Sequence, residues 1–285
     1  MMRSLWIAKT GLDTQQANLD TIANNLANAS TTAYKTQRAM FQDTLYQTMR
    51  EPGSYSSAGF SSAVSSGQQF GAVPGQAFMT PDGLQVGTGA QLQATERINL
   101  QGALLTTANP LDVAIKGNGY FQVLMPDGTM AYTRDGGFSV NQNGDLVTSA
   151  GYPVVGSGSG GSGGINIPSG TTSITITTDG KVQYTLSNLT TAYTAGQILI
   201  SNFVNTNGLV SIGGNLALET PASGPAVTNI AGTNGLGQTI QNSLEQSNVN
   251  VADQLVQMIA AQRLYEIQAR AITASDQMLK KIAQL

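Results

Sequence analysis

The chain contains no histidine and no cysteine, and its 285 residues include only 13 Lys or Arg and 16 Asp or Glu. Each shortage excludes chemistry. Without His or Cys no Ser-His-Asp or Cys-His nucleophile can be assembled, and no zinc site of the His/Cys kind can form. Without Cys there is no disulfide, so stability rests on packing. A net charge of −3 offers no basic face for nucleic acid. The longest apolar runs, Leu5 to Ala8 and Met258 to Ala261, have four residues each, far short of the 18 or more that read as a membrane-spanning helix. Arg3 is followed by no apolar segment of signal-peptide length and no cleavage site, so a cleaved secretory signal is not expected.

What is present divides the chain into ends and middle. Leu5, Leu12, Leu19 and Leu26 recur every seven residues, with Ala8, Gln15 and Ile22 three residues after the first three, which is a heptad seam. A helix over Arg3 to Asn28 would be about 39 Å long. At the other end Val251, Leu255, Met258, Gln262, Tyr265, Ala269, Ile272, Asp276 and Leu279 alternate steps of four and three. A second stripe runs beside them through Val256, Ile259, Arg263, Ile267 and Ile282. Asn250 is placed to cap this helix, with Asp253 as reciprocal partner. Glu266 with Arg270 and Asp276 with Lys280 are i,i+4 pairs.

From about Gln91 to Gln241 short alternating runs are punctuated by Asp127-Gly128, Asp135-Gly136, Asn143-Gly144, Asp179-Gly180, Asn207-Gly208 and Asn234-Gly235. These dipeptides are turn signals, and the strands between them predict an all-β domain. Pro52 to Gly89 is rich in Gly and Ser with one charge, Asp82, and Gly156 to Gly164 reads as a flexible insertion. The fold class expected is α+β: terminal helices pairing as an antiparallel coiled coil, with an all-β domain inserted between them. The boundaries are 1–40 for the N-terminal helical half, 41–90 for an extended linker, 91–242 for the β domain and 243–285 for the C-terminal helix.

Candidate chemistry is weak. Gly117 and Gly119 form Gly-x-Gly, but Gln122 stands where a dinucleotide loop needs its third Gly. Asn141, Asn143 and Asp145 resemble the start of a calcium loop, yet Leu146 and Tyr152 occupy the required Gly and Glu positions. Asp127, Asp135 and Asp145 would be the carboxylates of a wall hydrolase, but each lies at or beside a Gly turn, where Asp is common for its own reasons. Trp6 with Arg3 and Lys9 makes too sparse a basic face for an interfacial helix. Asn28-Ala-Ser30 and Asn188-Leu-Thr190 match the glycosylation triplet by chance. No catalytic residue, cofactor, metal, small-molecule substrate or nucleic-acid partner is expected. Two adjacent apolar stripes on the C-terminal helix exceed what one partner helix covers, which points to contact between copies of the chain. An adhesin-like β protein is disfavoured because it has no need of both heptad ends.

Specific motifs carry a resemblance. The stretch Ser4-Leu-Trp-Ile-Ala-Lys-Thr-Gly-Leu-Asp13, then Ile22-Ala-Asn-Asn-Leu-Ala-Asn28 and Tyr34-Lys35, is similar to the signature of bacterial flagellar basal-body rod and hook proteins. So are Ser247-Asn-Val-Asn-Val251, Met258-Ile259, Gln262-Arg263, Tyr265-Glu266 and Asp276-Gln-Met-Leu279 at the other end. In the middle, Asp112-Val-Ala-Ile-Lys-Gly-Asn-Gly-Tyr-Phe121 and Tyr132-Thr-Arg-Asp-Gly136 match the β-domain motifs. Leu45-Tyr-Gln-Thr-Met-Arg-Glu-Pro-Gly53, Gly87-Thr-Gly89 and Ala94-Thr-Glu-Arg97 resemble the distal-rod members. The family often has Gly before the aromatic-Lys pair, where this chain has Ala33.

The resemblance implies a helical homopolymer forming the distal rod, a drive shaft across the periplasm that transmits torque, with hook and proximal rod subunits as rival assignments. It implies export through the flagellar export apparatus. Its neighbours would be proximal rod proteins, the hook protein, and the peptidoglycan and outer-membrane ring proteins. Subunit packing is expected at Leu5, Leu12, Leu19, Ile22, Leu26, Val251, Leu255, Met258, Tyr265, Ile272 and Leu279. By the same resemblance residues 41–90 are tied to rod stiffness, with Tyr46, Pro52, Gly53, Phe60, Phe70 and Phe78 as candidates.

Overall fold

A computed structural model describes residues 2–50, 83–158, 164–187 and 191–284. It is α+β: a helix at each end, α1 (Met2–Ala27) and α2 (Val251–Ala283), flanks a β-rich middle. The helices follow their apolar periods. Asn250 caps α2 through its side-chain oxygen, which accepts from Ala252 N at 3.1 Å. Lys280 and Lys281 lie in the last turn, where positive charge opposes the helix dipole.

Two compact units divide the chain. One comprises residues 21–38 and 95–258, the other 1–20, 39–94 and 259–285. In the first, the largest described sheet has nine strands. Its main path runs Thr171–Ile176, Lys181–Leu186, Tyr193–Asn202, Tyr120–Leu124, Met130–Thr133, Leu216–Leu218 and Val210–Gly213, each antiparallel to its neighbour. Gly156–Gly158 and Val227–Ile230 also pair with Tyr193–Asn202. Residues 159–163, the rest of the Gly-Ser tract but for Gly164, lie outside the described residues.

The alternation of the sequence decides the faces of this sheet. Phe121 and Val123, with Ile198 and Ile200, point to a core completed by Val113, Ile115, Leu146, Val154, Ile165 and Val182. Tyr120, one residue before Phe121, joins Tyr132, Phe203, Leu209 and Ala217 in a smaller cluster on the other side. There Phe203 meets Tyr132 edge-on at 4.7 Å. Gln122 is buried too, and is satisfied by Ser201 and by Thr228 at 2.7 Å.

Asp127-Gly128 joins the strands Tyr120–Leu124 and Met130–Thr133, with Gly128 at φ 83°. Asp135-Gly136 serves another end. Gly136 is not among the positive-φ residues; a Cβ there would overlap the Val113 carbonyl, so Gly permits close backbone approach rather than a left-handed turn.

The second unit is built differently. Strand Tyr46–Arg50 pairs antiparallel with Leu84–Gly87, placing Tyr46 opposite Gly87. Nearby, the Thr44 and Thr88 hydroxyls bond at 2.7 Å. Among its described residues the only buried apolar side chain is Ala261 and the only buried polar one is Thr14. Trp6, Phe41, Leu45, Met49, Ile267 and Met278 are all exposed. No described helix is long and apolar enough to cross a membrane.

Candidate functional site

Two features stand out. In the larger unit the segments that leave α1 and enter α2 meet at a buried ionic junction. Glu245, just before α2, has a fully buried carboxylate that accepts from Lys35 Nζ and from Arg134 Nη1 at 3.2 Å. Gly102 N also donates to it, at 2.9 Å. Lys35 further donates to the Leu100 carbonyl at 2.7 Å, and Arg134 to the carbonyls of Gly119, at 2.9 Å, and Gly117. Burial pushes the Lys35 ammonium below its usual range, opposed by its bond to Glu245.

Around this triad the polar contacts continue. Asn248 Oδ1 accepts from Thr36 N at 2.7 Å, and its amide donates to the Ile98 carbonyl at 2.8 Å. Asn25, buried on α1, donates to the Gln37 carbonyl at 2.8 Å and to Gln254 Oε1 on α2 at 3.2 Å. Ala33 N donates to the Glu245 carbonyl at 2.8 Å, and Ala33 sits at φ 56°. That left-handed conformation favours Gly over a residue with a Cβ.

Beside the junction lies a cavity of about 80 Å³ lined by Tyr34, Arg97, Asn99, Tyr120 and Tyr132. Burial raises the Tyr120 hydroxyl. Burial, with the Glu219 carboxylate adding to it, pushes Tyr132 up to about 12. Arg97 is held by the Ser211 hydroxyl.

The second feature is the apolar surface of the helices. Ile22 is buried at 2% exposure, and Leu5, Leu12, Leu19 and Leu26 are half-buried. On α2, Met258, Tyr265, Ile272 and Leu279 are half-buried, while Val251 and Leu255 are exposed. The second stripe is more exposed still: Val256, Ile259, Ile267 and Ile282 are at 51–67%. Tyr46 is exposed, and the hydrogen bond its hydroxyl donates to the Asp43 carboxylate raises that hydroxyl. Pro52, Gly53, Phe60, Phe70 and Phe78 lie outside the described residues.

The carboxylates weighed as a hydrolase pair are occupied in turns. Asp127 accepts from Thr129 N and Oγ1, which lowers its carboxyl. Asp135 accepts from Gly137 N at 3.1 Å, and Asp145 from Asn166 at 2.8 Å. Asn141 Oδ1 accepts from the backbone N–H groups of Asn143 and Asp145, which closes that loop on itself.

Sequence reasoning quoted Lys35 and Arg134 in motifs but did not join them to Glu245. Isolation was the available signal. Glu245 is the only charge between Glu219 and Asp253, and Lys35 is the first after Asp20.

Comparison with known proteins adds the following. Residues 5–35 match the family model for flagella basal body rod proteins. Residues 114–184 match that of the flagellar hook protein FlgE/F/G D1 domain, and residues 240–285 the C-terminal model of flagellar basal body rod FlgEFG proteins. The chain is 47% identical over 285 residues to the flagellar basal-body rod protein FlgG of Buchnera aphidicola subsp. Acyrthosiphon pisum, covering 100% of both. It is 42% identical to the protein of the same name from Borreliella burgdorferi, over 98% of this chain and 97% of that one. The protein of that name from Caulobacter vibrioides is also 42% identical, over 100% and 99%.

Proposed function

The chain belongs to the flagellar basal-body rod protein family and is a structural subunit of the rod, and we propose that it works as a helical homopolymer, the torque-transmitting drive shaft of the distal rod. The observation that carries this is the unit in which Ala261 is the only buried apolar side chain among the described residues. A unit with so little core cannot offset the entropy of its own ordering. Its exposed Trp, Phe, Leu, Ile and Met side chains are the core of an assembly, supplied by neighbouring copies.

Within the subunit, α1 and α2 pair antiparallel as a coiled coil. Two contacts, one in each unit, support this reading. A side chain on Gly11 would overlap the amide of Gln268, and Asn25 bonds Gln254. The residue numbers of both pairs total 279, as a constant antiparallel register requires. The domains on this reading are 1–40 and 243–285 for the helical part, 41–90 for the stiffening segment and 91–242 for the β domain. Proximal rod proteins and the hook protein adjoin the polymer end to end, and the peptidoglycan and outer-membrane ring proteins surround it. The subunit reaches its periplasm-spanning place through the flagellar export apparatus and acts without catalysis or cofactor.

A strain lacking the gene tests this. Its basal bodies are expected to stop at a short rod without outer rings or hook, and plasmid-borne wild-type protein is expected to restore all three. A normal filament in the deletion strain would refute the assignment.

A further inference from the structure

On the two helices, within the smaller unit, most of the described charges close into ion pairs. Lys9 pairs with Asp13 at 3.2 Å, Glu266 with Arg270 at 4.0 Å, and Asp276 with Lys280 at 3.4 Å. Lys281 lies in the last turn of α2, where the helix dipole favours it. Among the described charged side chains of these helices in that unit, Asp20, Arg263 and Lys281 have no ion-pair partner, and of these Asp20 and Arg263 lie away from the last turn. Both are exposed and mid-helix, and they are of opposite sign.

Each belongs to an exposed face. On α1, Trp6, Lys9, Asp13 and Asp20 are all exposed and lie within about 60° of one another around the helix. On α2, Arg263 heads a row continued by Ile267, Ala271, Ala274, Met278 and Ile282, all exposed. That row carries a single charge, with Ile267 at 61% and Met278 at 59% exposure.

The spacings of the two faces match. From Asp20 back to Trp6 is about 21 Å, and from Arg263 on to Met278 about 22 Å, at the helical rise. We infer that the outward row of α2 docks antiparallel on the Trp6–Asp20 face of α1 in a second copy, with Arg263 paired to that copy's Asp20 and Met278 seated on its Trp6. The alanines Ala271 and Ala274 then lie over the Lys9–Asp13 pair, where only small side chains leave room for the two long stems. A thioether beside an indole ring is a favourable contact. Charge complementarity selects a second copy as the occupant: each copy offers the exposed Asp20 on one face and the exposed Arg263 on the other, so the contact is head-to-tail and propagates. The inference rests on the rod reading above and names the faces that build the polymer.

The test uses the full chain in a strain lacking its own copy, counting complete rods in isolated basal bodies by electron microscopy. Asp20→Arg alone and Arg263→Asp alone are each expected to lower the count on the order of tenfold, because like charges face each other. Producing both variants together is expected to restore rods, since each supplies the charge the other lacks. Asp20→Asn, which removes charge without repulsion, is expected to give a smaller loss; a loss equal to that of Asp20→Arg would count against the pairing. Circular dichroism of the purified variants is expected to match the wild type, because both positions are exposed. Normal rod counts with the single variants would overturn the contact. So would rods restored by Asp20→Arg and Arg263→Asp in one chain but not by the mixture, which would place the pair within a subunit. In either case wild-type rods still form, so the rod reading would survive; rods absent from the wild type would sink that reading instead.

Discussion

Replacing Glu245 by Gln keeps the shape of the side chain and its acceptor for Gly102 N but removes the only carboxylate bonded to Lys35 and Arg134. Glu245 is 0% exposed, and the cationic side chains are 6% and 7% exposed. Two buried cations would then face each other without an anion. Breaking a buried ion pair costs about 3–5 kcal/mol, chiefly through the uncompensated charge left behind. With an unfolding slope near 2–3 kcal/mol per molar urea, the midpoint should fall by about 1–2.5 M. The assay is urea unfolding of the purified full chain, followed by the β-sheet signal in circular dichroism. Lys35→Met added to Glu245→Gln should recover part of the loss, because one of the stranded charges goes with it; the coupling expected is about 1–3 kcal/mol. A loss under about 1 kcal/mol for Glu245→Gln would refute the view that this carboxylate holds the junction together. Equal and additive losses for the two substitutions would refute the coupling.

Ala33→Gly should raise stability by about 0.5–1 kcal/mol, since Ala33 occupies the left-handed region at φ 56°; an unchanged or lower urea midpoint would contradict this. Ile22→Ala should cost the monomer about 2–5 kcal/mol because Ile22 is 2% exposed. Ile267→Ala, at 61% exposure, should change the monomer by less than about 0.5 kcal/mol yet reduce complete rods, and equal effects of the two on monomer unfolding would undo the distinction. Stability should fall as pH rises from about 10 toward about 12. In that window unfolded tyrosines lose their protons near 10.0 while folded Tyr132 keeps its own to about 12, so the unfolded chain binds fewer protons. Lys35 acts in the opposite sense just below 10.5, where its folded form gives up its proton first. Urea midpoints against pH check this, and Tyr132→Phe should flatten the fall.

How much was legible in the sequence depended on the range of the interaction. The helical ends declared themselves through a period of seven, since side chains three and four apart share a helix face whatever lies beyond them. Turns such as Asp127-Gly128 were equally local, because the conformational freedom of Gly at φ 83° needs no partner. The two faces of Tyr120 to Leu124 follow from alternation alone, and the end and middle motifs together carried the family.

Tertiary structure decided what local pattern cannot express. Lys35, Arg134 and Glu245 are scattered along the chain, and nothing in their spacing says that they share one carboxylate; burial and geometry make that choice. Gly136 looks like a turn residue in sequence, but the approach of the Val113 carbonyl is what requires it. The helical seams showed which residues are apolar, yet only the fold separates Ile22, covered within its own subunit, from Ile267, left for a neighbour. Periodicity records the face a residue occupies. Whether that face is covered depends on residues far away in the chain, and the folded contacts alone supply them.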